Sequence, residues 1–182
     1  MLVVTLCVVA LLSPLVALRW PAGLLLHRWR FSLLIWAVLV LQAVVVAVPM
    51  NVGVASVLHV LTYVAAIAFL WLNRTVAGVW IVAAGALTNG IVIALNGGTL
   101  PASASAVEAA GIKPGEGFVN SAVLENPILP WLGDVFAWQA PMPLANTVSV
   151  GDILIVVGVA VAAWTGTSRL GTTPAVLATQ DT

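Results

Sequence analysis

The chain has 182 residues, 62% of them hydrophobic and 7% charged, and its six basic and six acidic residues cancel. Soluble domains carry about 25% charged residues, so this composition excludes an ordinary water-soluble domain and makes a lipid bilayer the natural solvent. Zero net charge leaves no electrostatic footprint for nucleic acid, and the single cysteine, Cys7, excludes an intrachain disulfide.

A membrane-spanning helix needs about 20 mostly apolar residues. Five stretches meet that standard, at 1–18, 31–50, 54–72, 76–95 and 149–166. No Lys or Arg precedes the first, and Arg19-Trp20-Pro21 rather than a small-residue cleavage site follows it. It therefore reads as a retained helix, kinked by Pro14, and not as a signal peptide. Pro49 to Gly53 form a tight turn between the second and third stretches, and Asn73-Arg74-Thr75 links the third to the fourth. The proline-rich segment 97–148 holds most of the acids. Within it, Ser105, Glu108 and Gly111 predict a short capped helix at 104–110. Residues 126–143 are too short and proline-broken to span. Their Trp131, Leu132, Phe136 and Trp138 suit a segment lying in the interface or re-entering over the bundle, as a lid or as a plug. Glu108, Glu116, Glu125 and Asp134 read as solvated charges. From Thr167 the chain is Thr-rich and short of large apolar residues, and reads as disordered.

The expected fold is thus an all-α integral membrane protein. It has five transmembrane helices and a long extracytoplasmic segment between helices four and five. Residues 1–166 form the membrane domain, and 167–182 a disordered cytoplasmic tail. Arg19, Arg28, Arg30, Arg74 and Arg169 all fall on one side of such a bundle, with Lys113 alone on the other. Basic loops stay cytoplasmic, which places the N-terminus outside, the C-terminus inside and the protein in the plasma membrane as a multi-pass chain.

Polar residues inside apolar helices are costly and face the bundle. Here they are Gln42, His59, Thr62, Tyr63, Thr88, Asn89, Asn96 and Asp152, gathered toward the outer half. His59, Thr62 and Tyr63 share one helix face, and Asn89 and Asn96, two turns apart, share another. Two readings stand side by side: interhelical glue, or an outward-opening ligand site made of His59, Asn89, Asn96, Gly97, Gly98 and Asp152. Ser149 to Asp152 also fit a capping box, which would account for the carboxylate without any site. Asn96-Gly97-Gly98 followed by Pro101 reads as a helix C-cap and stop, or as a place where backbone or ligand approaches closely. Ala86, Gly90 and Ala94, and Gly158 with Ala162, form small-residue stripes for helix packing. His59 has no other ligand at metal-binding spacing, so no metal site and no cofactor are expected.

The pieces "LLHRWRFSLLIWAVLVLQ", "ALTNGIVIALNGGTLPAS", "AVEAAGI", "LPWLGDVF" and "SVGDILIVVGVAV" together resemble the domain of unknown function 5317 family over roughly residues 1–166. Asn96, Gly97, Gly98 and Pro101, and Gly151 with Asp152, carry the resemblance best. Leu100 stands where Met often precedes the proline. The resemblance implies a small bacterial membrane protein of actinobacteria and other Gram-positive bacteria, and no substrate. No nucleophile triad, carboxylate pair or phosphate loop appears, so an enzyme is not the expected reading. The expected function is a binding, sensing or accessory subunit whose partners are the bilayer and other membrane proteins. A transporter or channel component, or a membrane enzyme acting on a lipid at the outer leaflet, stays open as the alternative.

Overall fold

The structure, a computed structural model, describes residues 2–112 and 120–170. Helix α1 (Leu2–Leu12) passes at Ser13 into a 3-10 turn, Ser13–Ala17. Pro14 has no N–H to donate, so the α-helix cannot run through it. Strand β1 (Arg19–Trp20) and the short α2 (Ala22–Leu25) lead to α3 (Ser32–Ala47) and α4 (Val52–Leu72). The side chain of Asn51 caps α4 by accepting from the Gly53 and Val54 amides at 2.9 and 3.4 Å. Helix α5 (Val79–Leu95) follows, then β2 (Leu100–Pro101), α6 (Ala104–Ala110) and β3 (Ser121–Ala122). A second 3-10 turn at Pro130–Leu132 precedes β4 (Asp134–Trp138) and β5 (Asn146–Ser149). Helix α7 (Val150–Trp164) grows directly out of β5, and β6 (Ser168–Arg169) closes the described chain.

The long helices form a row in which α5 lies between α4 and α7, α3 flanks α4, and α1 flanks α7. The closest pair is α5 with α7, and glycine makes it possible. A Cβ at Gly85 would collide with the Gly151 carbonyl, and one at Gly158 would sit 2.6 Å from the Val82 nitrogen and 2.9 Å from the Gly78 carbonyl. Gly78 and Gly85, and Gly151 and Gly158, are each seven residues apart, two helical turns, so each pair faces the same way. Of the stripe expected on α5, Gly90 seats the Tyr63 ring, Ala86 is buried and Ala94 is exposed.

Helices stand at all five apolar stretches, but the expected five-span, all-α fold is corrected. Among the described residues, α4, with 21 residues, is the one helix long and apolar enough to cross a membrane. At 1.5 Å per residue, the 15 residues of α7 reach about 22 Å, short of the roughly 30 Å of hydrocarbon. Local chemistry trims the apolar runs. Pro14 ends α1, Gly78 at φ +82° delays the start of α5, and the Ser149 cap fixes the start of α7. Nor is the fold all-α. β1 pairs antiparallel with β6, β2 parallel with β3, and β4 antiparallel with β5.

The last four described residues are tied down. Arg19 opposes Arg169 in the β1–β6 ladder, and the Arg19 Nε donates to the Thr167 hydroxyl at 2.6 Å. The remainder of the expected tail, 171–182, lies outside the described residues, as do Lys113 and Glu116. The expected short helix is α6, capped by Gly111 as anticipated but started by Ser103, not Ser105.

Candidate functional site

Chain segments 96–112 and 120–149 build a cap over one end of the α4–α5–α7 row. Its apolar seat is Val92, Ile93 and Leu100, against which Leu129 and Leu132 pack from above and Val60 and Tyr63 from α4. Segment 126–143, expected as an interfacial or re-entrant stretch, is here a 3-10 turn followed by a paired strand. It forms a fixed roof over the end of α5.

The polar residues singled out in the sequence hold this roof. Asn96 is the C-cap of α5. Its Nδ2 donates to the Val92 carbonyl at 2.7 Å and to the Ile128 carbonyl at 2.9 Å, while its Oδ1 accepts from the Ile128 amide at 2.8 Å. One side chain thus pairs with a backbone as a strand would. Gly97 and Gly98 take φ of +68° and +95°, and the Gly98 amide donates back to the Ile93 carbonyl at 2.8 Å. That bond spans six residues and closes a Schellman cap. The two glycines then differ. Nothing lies near a Cβ at Gly97, whereas a Cβ at Gly98 would collide with Ser56 of α4. The cap and the close approach, set as alternatives by the sequence, coexist. The approach brings the Gly98 carbonyl to 2.7 Å from Nδ1 of His59, a side chain only 1% exposed.

A second group joins α5 to α7. The Asn89 Nδ2 donates to Asp152 Oδ1 at 2.9 Å, and Ser149 Oγ donates to Asn89 Oδ1 at 2.9 Å. Ser149 and Asp152 complete the expected capping box: Ser149 Oγ accepts from the Asp152 amide, and Asp152 Oδ2 accepts from the Ser149 amide. Gly151 is required here, because a Cβ would overlap the Asn89 side chain. Tyr63 lies between the two groups, edge-on to His59 at 5.5 Å between ring centroids and against Gly90. The six candidate residues therefore meet in two linked sets, His59 with Gly98 and Asn89 with Asp152, while Asn96 and Gly97 fasten the roof. Away from the cap, the Thr62 hydroxyl donates to Gln42 at 2.8 Å and joins α3 to α4.

Sequence reasoning missed Asp134. Read as a solvated charge, it is 5% exposed at the start of β4. Its Oδ2 accepts from the Ser121 hydroxyl and, at 3.1 Å, from the Thr147 hydroxyl, and its carbonyl accepts from the Ser103 amide at 3.0 Å. Four pieces of the cap thus converge on one residue. Oδ1 is buried with no hydrogen-bond partner among the described residues. Burial first of all raises the carboxyl pKa to about 6, and the nearby Asp152 charge adds to it, against the lowering by Ser121 and Thr147. The partners lie 13 residues away on either side, so no local spacing marks them. Asn73 was also missed. It is buried at the far end of α4, where it accepts from the Arg30 amide and donates to the Arg30 carbonyl, at 2.9 and 3.1 Å.

The asparagine, serine and aspartate groups mostly satisfy one another, which suits holding rather than bond-making chemistry. Among the described residues, no three His, Cys, Asp or Glu side chains come together as metal ligands. No curated protein and no solved structure matches the chain. The family of unknown function DUF5317 matches residues 27–164, from the loop before α3 to the end of α7, and the chain belongs to that family.

Proposed function

We propose that the protein is a membrane-embedded, non-enzymatic binding or accessory protein whose recognition surface is the cap. The observation that carries this reading is the use of the buried polar side chains. His59 and Asn96 fasten the cap to the helices, and Asn89 and Asp152 hold Ser149 at the end of β5, so the cap is a rigid platform. A groove of about 400 Å³ runs across it, lined by Pro101, Ser103, Leu124, Pro127, Trp131 and Val135, and Trp131 is 63% exposed. Exposed aromatic anchors beside a pocket are the usual core of a protein-binding surface. Membrane embedding is supported by α4 and by the apolar side chains that α3 and α4 expose, among them Leu33, Trp36, Val57, Leu61 and Val64. The arginines at the opposite end favour a cytoplasmic location for that end and an outside location for the cap.

A photo-crosslinking amino acid at Trp131 tests the binding role. The expected result is a discrete protein adduct in living cells, absent when the same group replaces Leu61 on the apolar face of α4. Absence of any adduct from Trp131 overturns the reading. For orientation, Ser105→Cys in a Cys7→Ala background is expected to react with a membrane-impermeant maleimide in intact cells, and Thr75→Cys only after permeabilisation. The reverse pattern inverts the topology.

A second reading, a sensor of proton concentration, is favoured by Asp134, a buried carboxyl that ties the cap together and titrates near pH 6.

A further inference from the structure

At the end of the bundle away from the cap, α4 and α5 meet at the turn around Arg74 and diverge into a groove of about 260 Å³. Leu70, Trp71, Trp80, Ala84 and Leu87 line it, with Arg74 at its mouth. Ala83 and Ala84 open the groove because they place only a methyl where neighbouring turns carry larger side chains. From Trp80 to Leu87 it follows seven residues of helix, about 10 Å. The mouth has a different chemistry. Trp71 and Trp80 meet edge-to-face at 5.5 Å and both are more than half exposed. The Arg74 guanidinium lies 4.9 Å from the centre of the Trp71 ring and donates to the Trp71 carbonyl at 3.0 Å. It makes no ion pair among the described residues. The pairing of the Asn73 side chain with the Arg30 backbone brings the loop carrying Arg28 and Arg30 alongside.

We propose that this groove holds one acyl chain of an anionic phospholipid, with the headgroup phosphate against Arg74 beside the paired tryptophans. The proposal rests on the membrane-embedded reading above. An apolar trough open to the helix surface suits a chain, not a soluble anion. Trp rings favour the headgroup level, and a guanidinium held over an aromatic face keeps donors free for phosphate oxygens. Free phosphate would gain nothing from the trough, and a zwitterionic lipid would offset its phosphate with its own cation.

The test is native mass spectrometry of the full chain released from mild detergent, with phosphatidylglycerol or phosphatidylcholine of identical acyl chains added at equal concentration. Inorganic phosphate serves as a third arm. The expected result is about fivefold greater retention of phosphatidylglycerol, close to 1 kcal/mol at 1.4 kcal/mol per tenfold, the scale of one basic residue at an anionic surface. Arg74→Gln, an exposed change, is expected to bring the two lipids to parity, and Ala84→Trp to lower retention of both by filling the trough. Equal retention by the native chain, an unchanged preference in Arg74→Gln, or binding of phosphate alone overturns the proposal. Flotation of the protein with vesicles of either lipid is measured alongside. Failure to float with both refutes the membrane reading itself, whereas flotation with both and no preference in the spectrometer refutes only the lipid site.

Discussion

Asp134→Asn isolates the buried carboxyl of the cap. In the folded chain its pKa stands near 6, against an ordinary 3.8, because burial disfavours the charged form. The folded state therefore holds the proton more tightly than the unfolded state. The resulting stability is fully present below about pH 4 and is lost as pH rises through 6. A rise of about two pK units, at 1.36 kcal/mol each, sets the scale at about 3 kcal/mol. For a chain of this length, 1 kcal/mol moves the melting temperature by about 2–4 °C, so the whole effect is about 6–12 °C. Asparagine keeps an oxygen for the Ser121 and Thr147 hydroxyls but cannot ionise. Its amide would occupy the unpartnered Oδ1 position, at a pH-independent cost of about 1–3 kcal/mol. The informative quantity is consequently the change with pH and not the absolute stability. Thermal unfolding in mild detergent from pH 4 to pH 8 should show the native protein losing about 6–12 °C more than Asp134→Asn. Identical pH profiles for the two proteins would show that the carboxyl is neither desolvated nor involved in holding the cap, and would remove the sensor reading.

Asn89→Ala removes both bonds between α5 and α7 at this level and should cost about 2 kcal/mol. Asn89→Asp should cost more at pH 7, because it sets a carboxylate against Asp152 Oδ1; chemical denaturation in detergent ranks the two. Gly97→Ala should cost about 1 kcal/mol for its positive φ, and Gly98→Ala clearly more, since its Cβ must also displace Ser56. Equal melting temperatures for the two glycine variants would deny the close approach. Asn96→Ala should leave the helices folded and free the roof, read as faster hydrogen exchange at the Ile128 amide with little change in the middle of α5.

The helices were legible in this sequence for a simple reason. Long apolar runs punctuated by Pro14, Pro49 and Asn73-Arg74-Thr75 leave few alternatives, and Ser149 with Asp152 announces the start of α7 within four residues. Span count was not legible in the same way. Composition sees only that 76–95 and 149–166 are apolar, whereas the number of residues that become helical depends on where the backbone leaves helical geometry, at Gly78 before α5 and at the extended Thr165 after α7. The same limit hid the cap. Asp134 looks like any surface acid until Ser121 and Thr147 are brought to it by strands of two to five residues, too short to show an alternating pattern. The glycine contacts between α5 and α7 were half visible. Spacing by four drew attention to Ala86, Gly90 and Ala94, while the backbones touch at Gly78 and Gly85, which recur every seven.

The two ends of the bundle treat polarity differently, and the contrast bears on function. At the cap, polar side chains answer one another: Asn89 is held by Ser149 and Asp152, Asn96 by Ile128, and His59 meets the Gly98 carbonyl. Buried polar groups in such a state fix geometry, since leaving any one unmatched costs more than the bond gains. Asp134 Oδ1 departs from that pattern, buried with no hydrogen-bond partner among the described residues. At the other end, Arg74, Arg28 and Arg30 are exposed, and Arg74 lies over Trp71 where an apolar groove begins. A rigid polar end and an open basic-aromatic end make different demands on their surroundings. The first is fitted to present a fixed surface, the second to take up an amphiphilic anion. A substitution that uncouples them, such as Arg74→Gln, should therefore alter lipid retention while leaving the hydrogen exchange of the cap unchanged. A change in cap exchange of the same size as that in Asn96→Ala would mean that the two ends act as one unit.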